Sequence, residues 1–308
     1  YLMACYNTPH SIPMNKVLRD GHNFFSLVPG VGFIIRSVRN YFLGKDKSWK
    51  WKVRDLVGLF SRVQGSLADG VELRITNNGT FVKALDGFQY TFDTEGRQIP
   101  ETIMKGGDSL DKSEVEYALE RLPMDGVVVD AGAGVGEYAM HLSAKGMVHS
   151  FEPMETQYEL LRSNIKRNNL AHRIRANRYA LWNESGRFGI THLNVEDNRL
   201  VKAEDKRSVE TIHALRLDEY FKEKEIYKVD LVKADIQGAE FQMIMGLGKY
   251  MESHPALLLE IVPRCIKRFG YEYSELFEYL IGLGYGYVGF YEDGTVHKEH
   301  YDEMIKHS

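Results

Sequence analysis

From about residue 106 onward, the hydrophobic positions follow two alternating rhythms. Short unbroken apolar runs, of which Val127, Val128 and Val129 are the most β-branched, alternate with longer stretches whose apolar residues recur every three or four positions. The first pattern is that of a strand covered on both faces, the second that of an amphipathic helix. A helix over 114–122, with Val115, Ala118, Leu119 and Leu122 on one side, opens the series after a start signal at Asp108, Ser109, Leu110 and Asp111. The predicted order is then strand 127–130, helix 136–145, strand 147–151, helix 155–169, strand 174–180, a polar segment 183–208, strand 228–235, helix 238–249, strand 256–262, helix 273–283 and strand 286–290. Such alternation predicts an α/β fold with a mostly parallel sheet and helices on both faces. Ligands of these sheets bind at the carboxyl ends of the strands, beside the topological switch point. Asp130, Glu152, Asp235 and Glu260 all fall at such ends.

Residues 1–105 do not share this rhythm and read as an N-terminal accessory segment, helical first and then a small antiparallel β element. Residues 24–43 mix aromatics with Arg36 and Arg39, and the basic series continues through Lys45, Lys47, Lys50, Lys52 and Arg54 around Trp49 and Trp51. The simpler reading is that the aromatics pack while the charges are solvated; the alternative is peripheral contact with a membrane surface or phosphate. Val71, Leu73 and Ile75 alternate with Glu72 and Arg74, and Asn77-Asn78-Gly79 is a turn signal before strand-like runs at 80–84 and 89–92.

Composition narrows the field. The 308 residues are 44% hydrophobic and 27% charged, with no apolar run as long as a membrane span. A net charge of −4 argues against nucleic acid as the main partner. Cys5 and Cys265 are too few and too far apart for a disulfide framework or zinc site. The opening residues, Tyr1 to Cys5, lack the basic and apolar regions of a secretory signal, so the cytoplasm is the expected compartment. Oligomeric state is not legible.

Between the first predicted strand and helix stands Asp130-Ala131-Gly132-Ala133-Gly134-Val135-Gly136. Glycines at a strand-to-helix turn let backbone amides approach a ligand closely. A dinucleotide fingerprint needs its third glycine at 137, where this chain has Glu. The form D-x-G-x-G-x-G instead resembles the first motif of class I S-adenosylmethionine (SAM) dependent methyltransferases. That resemblance implies a Rossmann-like, seven-stranded sheet, a loop under the methionine part of SAM and Asp130 near its amino group. Glu152, at the end of the next strand and before Pro153, suits a carboxylate that accepts both ribose hydroxyls, a device that NAD enzymes share.

The second signal is the run from Leu231 to Glu240. Lys233 and Asp235 share one face of a strand, as a structural ion pair or as part of a site. Here the chain resembles the FkbM-type methyltransferases. Phe151-Glu152-Pro153, with Leu161, Asn164 and Asn168 after it, looks like that family's F-E-P and L-x-x-N-x-x-x-N segments. Leu217-Asp218 is similar to its L-D element, residues 232–240 to its K-x-D-x-E-G-x-E motif, and residues 255–261 to the strand ending in Glu that follows. The likeness covers roughly residues 110–290. One departure is Gln237, where the family usually carries Glu.

The resemblance implies methyl transfer from SAM to an oxygen acceptor, a hydroxyl on a sugar, polyketide or other natural product. On that reading Asp235 positions or deprotonates the acceptor, with Lys233 as electrostatic partner and Glu260 beside them. Asp130, Gly132, Gly134, Gly136, Glu152, Ala180 and Trp182 hold SAM, and no residue is assigned to a metal. Mg²⁺ between Asp235 and Glu260 is the minority alternative, because two carboxylates lack a third ligand. Ordinary packing is the alternative for Trp182. The segment 183–208 reads as a lid, with His192, Asp197, Asn198 and Arg199 as acceptor contacts or solvated loop residues. The basic run Arg162, Lys166, Arg167, Arg173, Arg175 and Arg178 reads as an exposed face. Three alternatives stay open: an NAD-dependent oxidoreductase, a SAM-dependent N-methyltransferase and a SAM-binding module without turnover.

Overall fold

The computed structural model describes residues 72–76, 79–84, 86–91, 112–192, 198–202, 210–285, 289–290 and 296–297. The aromatic and basic stretch 24–54, with its proposed membrane contact, and the helix-start signal at 108–111 lie outside them. The chain divides into two compact units, residues 1–109 and 110–308. In the first, β1 (Glu72–Thr76), β2 (Gly79–Lys83) and β3 (Gln89–Thr91) form an antiparallel meander. Thr76 pairs with Gly79, so the β1–β2 hairpin turns at the predicted Asn77-Asn78.

The second unit starts with α1 (Lys112–Arg121), and its β-branched runs become the inner strands of a sheet. In chain order these are β4 (Gly126–Ala131), β5 (Gly146–Phe151) and β6 (Ile174–Asn177), with α2 (Glu137–Leu142) and α3 (Glu155–Arg167) between them. Then come β7 (Ala180–Leu181), β8 (Gly186–His192), β9 (Asn198–Lys202), β10 (Glu210–Leu215) and α4 (Leu217–Glu223). The unit continues through β11 (Leu231–Ala234), α5 (Glu240–Leu247), β12 (Ala256–Leu259), α6 (Pro263–Ile266), α7 (Tyr273–Gly282), β13 (Gly289–Phe290) and β14 (Val296–His297). The central sheet is parallel, in the order β12-β11-β4-β5-β6, with the switch point at the carboxyl end of β4.

Several predicted features differ. Five strands, not seven, form this sheet among the described residues. The run 174–180 splits: β6 stays at the sheet edge, while β7 pairs with β10 in a second sheet of order β7-β10-β8-β9. Of the last predicted strand, 286–288 lie outside the described residues and 289–290 pair with β14. The polar segment 183–208, in turn, contains β8 and β9. Its apolar residues are sparse but alternate, and Ile190 is buried with Ile212, Ala214, Ala180 and Met154, with Phe188 against them.

Side chains at alternate positions of β4 and β11 go to opposite faces. Val129, Ala131, Val232 and Ala234 enter a core completed by Leu217 and Phe221 of α4, Met243 and Ile244 of α5, and Leu276 and Leu280 of α7. Asp130 and Lys233 project to the other face, where Tyr138 of α2 covers the lysine. Asp230 latches the other end of the strand pair: its carboxylate accepts the Val127 N–H at 2.9 Å, and its own N–H donates to the Val127 carbonyl at 2.9 Å.

At the functional end, the loops after β4 and β11 meet backbone to backbone. Gly132 has φ +73°, and a Cβ there would lie 1.9 Å from the Asp235 carbonyl oxygen. Gly134 has φ +53°, but a Cβ there would meet nothing within 4 Å. Gly132→Ala is therefore expected to destabilise the protein by at least about 2 kcal/mol, from left-handed strain plus the clash. Gly134→Ala carries the strain alone and is expected to cost clearly less; chemical denaturation of the two variants measures the difference.

Candidate active site

The site grows from the ends of four neighbouring parallel strands. After β4, the amides of Gly132 and Ala133 both donate to the Phe151 carbonyl at 3.0 Å, which folds the glycine loop over the end of β5. Glu152 then fixes that loop from below. One carboxylate oxygen accepts the Gly134 N–H at 2.9 Å, and the other accepts the Met154 N–H at 2.9 Å. Each oxygen keeps a second lone pair. Burial pushes the Glu152 carboxyl up to about 7; the two amide donors pull it down, Asp130 adds to the rise and Lys233 opposes it.

Asp130 is completely buried beneath the loop. Ser150 Oγ lies 3.5 Å from its Oδ2, while its Oδ1 has no hydrogen-bond donor and faces Lys233 Nζ at 3.7 Å. Burial raises its carboxyl, and the Lys233 charge works against the rise. Lys233 itself is 5% exposed and donates to the Gly132 carbonyl at 3.3 Å. Its ammonium sits 4.7 Å from the centre of the Tyr138 ring, whose hydroxyl donates to Glu114 of α1. Burial raises the Tyr138 hydroxyl's pKa, helped by its hydrogen bond to Glu114 and by the charges of Glu114, Asp235 and Asp130, so the phenol stays protonated.

Asp235 follows β11, and its N–H donates to the Ala131 carbonyl at 3.1 Å. Its half-buried carboxylate accepts the Gln237 side-chain amide at 3.3 Å and is hydrogen-bonded to Glu260, the residue after β12. Glu260 remains open to solvent on one side, but partial burial, then the hydrogen bond and charge of Asp235, raise its carboxyl. Glu240 closes the loop beneath them: one oxygen accepts the Ile236 N–H at 3.1 Å and the Gly238 N–H at 3.2 Å. Its carboxyl is raised by burial and keeps one oxygen without a partner.

Lys233, Asp235 and Glu260 line one cavity of about 1020 Å³ together with Glu114 and Tyr138, and the apolar side chains of β12 and α7 form its far wall. Among the described residues, no group of three or more His, Cys, Asp or Glu is placed to hold a metal ion. Two other sequence candidates lie toward β6 and β7. Ala180 is buried beside Met154, and Trp182 packs its ring near Phe188 and Phe269 at centroid distances of 5.9 and 5.3 Å. Of the suggested lid contacts, Asp197 lies outside the described residues, as do the side chains of His192, Asn198 and Arg199.

Sequence reasoning missed Tyr138, Glu114 and Glu240. Tyr138 sits two residues after Gly136, on the first turn of α2, and Glu114 sits on the helix before β4. Only the register Lys233↔Asp130 between β11 and β4 brings these elements to one charge.

Residues 130–288 match the family model described as the methyltransferase FkbM domain. Among curated proteins, the chain is 27% identical over 147 residues to the hexuronic acid methyltransferase AglP of Haloferax volcanii, a match spanning 48% of this chain and 60% of that protein. It is 24% identical over 180 residues to the methyltransferase sdnD of Sordaria araneosa, spanning 47% of this chain and 68% of that one. A solved structure, the methyltransferase FkbM from Methylobacillus flagellatus, aligns with 79% of this chain and 56% of its own at 16% identity and a TM-score of 0.39. The matched segment runs from the buried Asp130 through the loop after β11 to the end of α7, and so holds nearly every side chain that builds the site; the chain belongs to the FkbM methyltransferase family.

Proposed function

We propose that the protein transfers a methyl group from SAM to a hydroxyl oxygen of a small-molecule acceptor, a sugar, polyketide or other natural product. The observation that carries this reading is the charge of the site. Five carboxyls, Asp130, Glu152, Asp235, Glu240 and Glu260, crowd the strand ends with Lys233 as the cation among them. A cationic ligand stabilises the ionised forms of these carboxyls, whereas the pyrophosphate of a dinucleotide works against them. SAM, when bound, supplies a methyl group activated on a positively charged sulfur. The open space above Gly134 leaves room for it, and the spare lone pairs of Glu152 suit a ribose diol. Gly132 and Gly136 shape the loop, Asp130 acts through its charge from beneath, and Ala180 and Trp182 border the base end.

In this proposal Lys233 holds the Asp130–Gly132 corner, and Asp235 is the group that orients the acceptor hydroxyl and takes its proton. Glu260, whose carboxyl is raised by burial and by Asp235, stands beside it as a hydrogen-bond partner. A hydroxyl needs such a base, whereas a neutral amine does not, which favours oxygen over nitrogen as the acceptor. The name of the Haloferax relative, a hexuronic acid methyltransferase, supports a sugar among the acceptor classes.

Calorimetry with SAM, S-adenosylhomocysteine and NAD tests the reading. Micromolar binding of the first two is expected, with loss in Glu152→Ala; binding of NAD alone overturns it. Because ionised Glu152 accepts more hydrogen bonds than the protonated form, affinity for S-adenosylhomocysteine should rise from pH 6 to pH 8 and flatten in Glu152→Gln. In the ligand-free protein, the folded state holds protons on Glu152 and Glu260 that the unfolded chain has released. Stability is thus fully present below the ordinary carboxyl range and should fall as pH rises from about 5 through 8, which melting curves across that window will report.

With an acceptor in hand, Asp235→Asn should lower turnover by roughly a hundredfold or more, the scale of general-base loss, while S-adenosylhomocysteine affinity stays near wild type. Glu260→Gln keeps a donor toward Asp235 and should cost far less. Tyr138→Phe keeps the ring over Lys233 and should bind S-adenosylhomocysteine almost normally; Tyr138→Leu should weaken it by about tenfold, the scale of a buried cation–π contact.

A further inference from the structure

A second cavity, of about 950 Å³, opens between α3, the edge strand β6 and α4, and none of its lining belongs to the site above. Its walls explain part of the basic run seen in the sequence. Arg173 and Arg178 leave that run to pair with Asp125 at 2.6 Å and Glu210 at 2.5 Å. Arg162, Lys166 and Arg175 instead line this cavity, joined from the end of α4 by Lys224. Four cations thus face one lining carboxylate, Glu159, which is 3.2 Å from Arg162. Lys224 is also 2.6 Å from Glu223, Arg175 donates to the Ala171 carbonyl at 3.4 Å, and Lys166 has no ion-pair partner among the described residues.

Beneath these exposed cations lies a buried polar relay. The Asn177 side-chain amide donates to the Ser150 carbonyl at 3.1 Å and the Arg175 carbonyl at 2.9 Å, so its Oδ1 turns toward Tyr220. The Tyr220 hydroxyl has one proton and two acceptors in reach, that oxygen at 3.2 Å and His149 Nδ1 at 2.8 Å. Nδ1 is thus engaged by Tyr220, and His149 Nε2 is the ring nitrogen with no partner among the described residues, on a side chain only 8% exposed that lines the cavity. Burial, with the charges of Arg175 and Lys224, holds the imidazole down at about 4, so it is neutral at physiological pH.

Cations on the walls and an unpartnered ring nitrogen on the floor call for a ligand that is anionic and rich in oxygen. We infer that this cavity binds a phosphate group, through charge-assisted hydrogen bonds from Arg162, Lys166, Arg175 and Lys224 and a further hydrogen bond at His149 Nε2. Because His149, Asn177 and Ser150 belong to β5 and β6, whose ends carry Glu152 and the loop after β6, the bound group sits on the strands that also support the proposed SAM site.

The test is NMR of protein labelled on histidine, titrated with inorganic phosphate and with glycerol 3-phosphate at constant ionic strength; His149→Gln assigns the resonance. A saturable shift of the His149 signals is expected, with its titration midpoint moving upward as the anion offsets Arg175 and Lys224. Arg175→Gln combined with Lys166→Gln should weaken phosphate at least tenfold, with the fold and S-adenosylhomocysteine affinity unchanged. Vesicles containing phosphatidic acid form a separate arm. Capture by vesicles together with glycerol 3-phosphate binding assigns the site to a lipid headgroup, and soluble binding without capture assigns it to a free phosphate ester. A His149 signal that does not respond, or that responds equally to chloride or in the double variant, overturns the inference. Either result is independent of S-adenosylhomocysteine binding at the strand ends.

Discussion

The contact of Gly132 with the Asp235 carbonyl is the constraint from which the site's geometry follows. It locks the loop that leaves β4 to the loop that leaves β11, at the point where the sheet changes winding direction. With a side chain at 132 the two loops would separate by the width of a methyl group. Lys233 could then no longer reach both the Gly132 carbonyl and the Asp130 carboxylate. The parallel register adds the rest, since Lys233↔Asp130 and Asp130↔Ser150 put ammonium, carboxylate and hydroxyl side by side across three strands.

Electrostatics sets the second constraint. Burying Asp130, Glu152 and Glu240 almost without exposure is costly, and Lys233 offsets only part of that cost. The protein resolves the crowding with backbone donors on Glu152 and Glu240, and by keeping protons on carboxyls that would be ionised in water. Carboxyls whose proton affinity is raised by burial in this way cluster at functional sites.

Much of this was legible in the sequence because the relevant signals are local. Residues 127–136 carry the buried strand, the acid and the turn within one short stretch, and Glu152 is defined by its place at the end of the next strand. The match of the strand series to β4, β5, β6, β11 and β12 follows from the same locality. What escaped depends on long-range pairing. The split of 174–180 into β6 and β7 is decided by Ala180 and Leu181 finding Ala214 and Leu215, more than thirty residues away. The strands in 183–208 were hidden because the segment is rich in charged and polar residues and carries few apolar ones. Tyr138 and Glu114 look like ordinary helix residues until α1 and α2 are packed over Lys233.

Gln237 shows how the departure from the family pattern fits this charge pattern. A glutamate at this position would bring one more carboxyl to a corner where Asp235 already raises the carboxyls of Glu240 and Glu260, and Glu240 adds to the rise of Glu260. The glutamine amide instead donates to Asp235, which has a neutral donor on one side and the Glu260 carboxyl on the other. The backbone at 237 is left-handed, with φ 56°, which holds that amide close to the Asp235 carboxylate two residues before it. A neutral donor thus stands where a further acid would have crowded the Asp235 carboxylate.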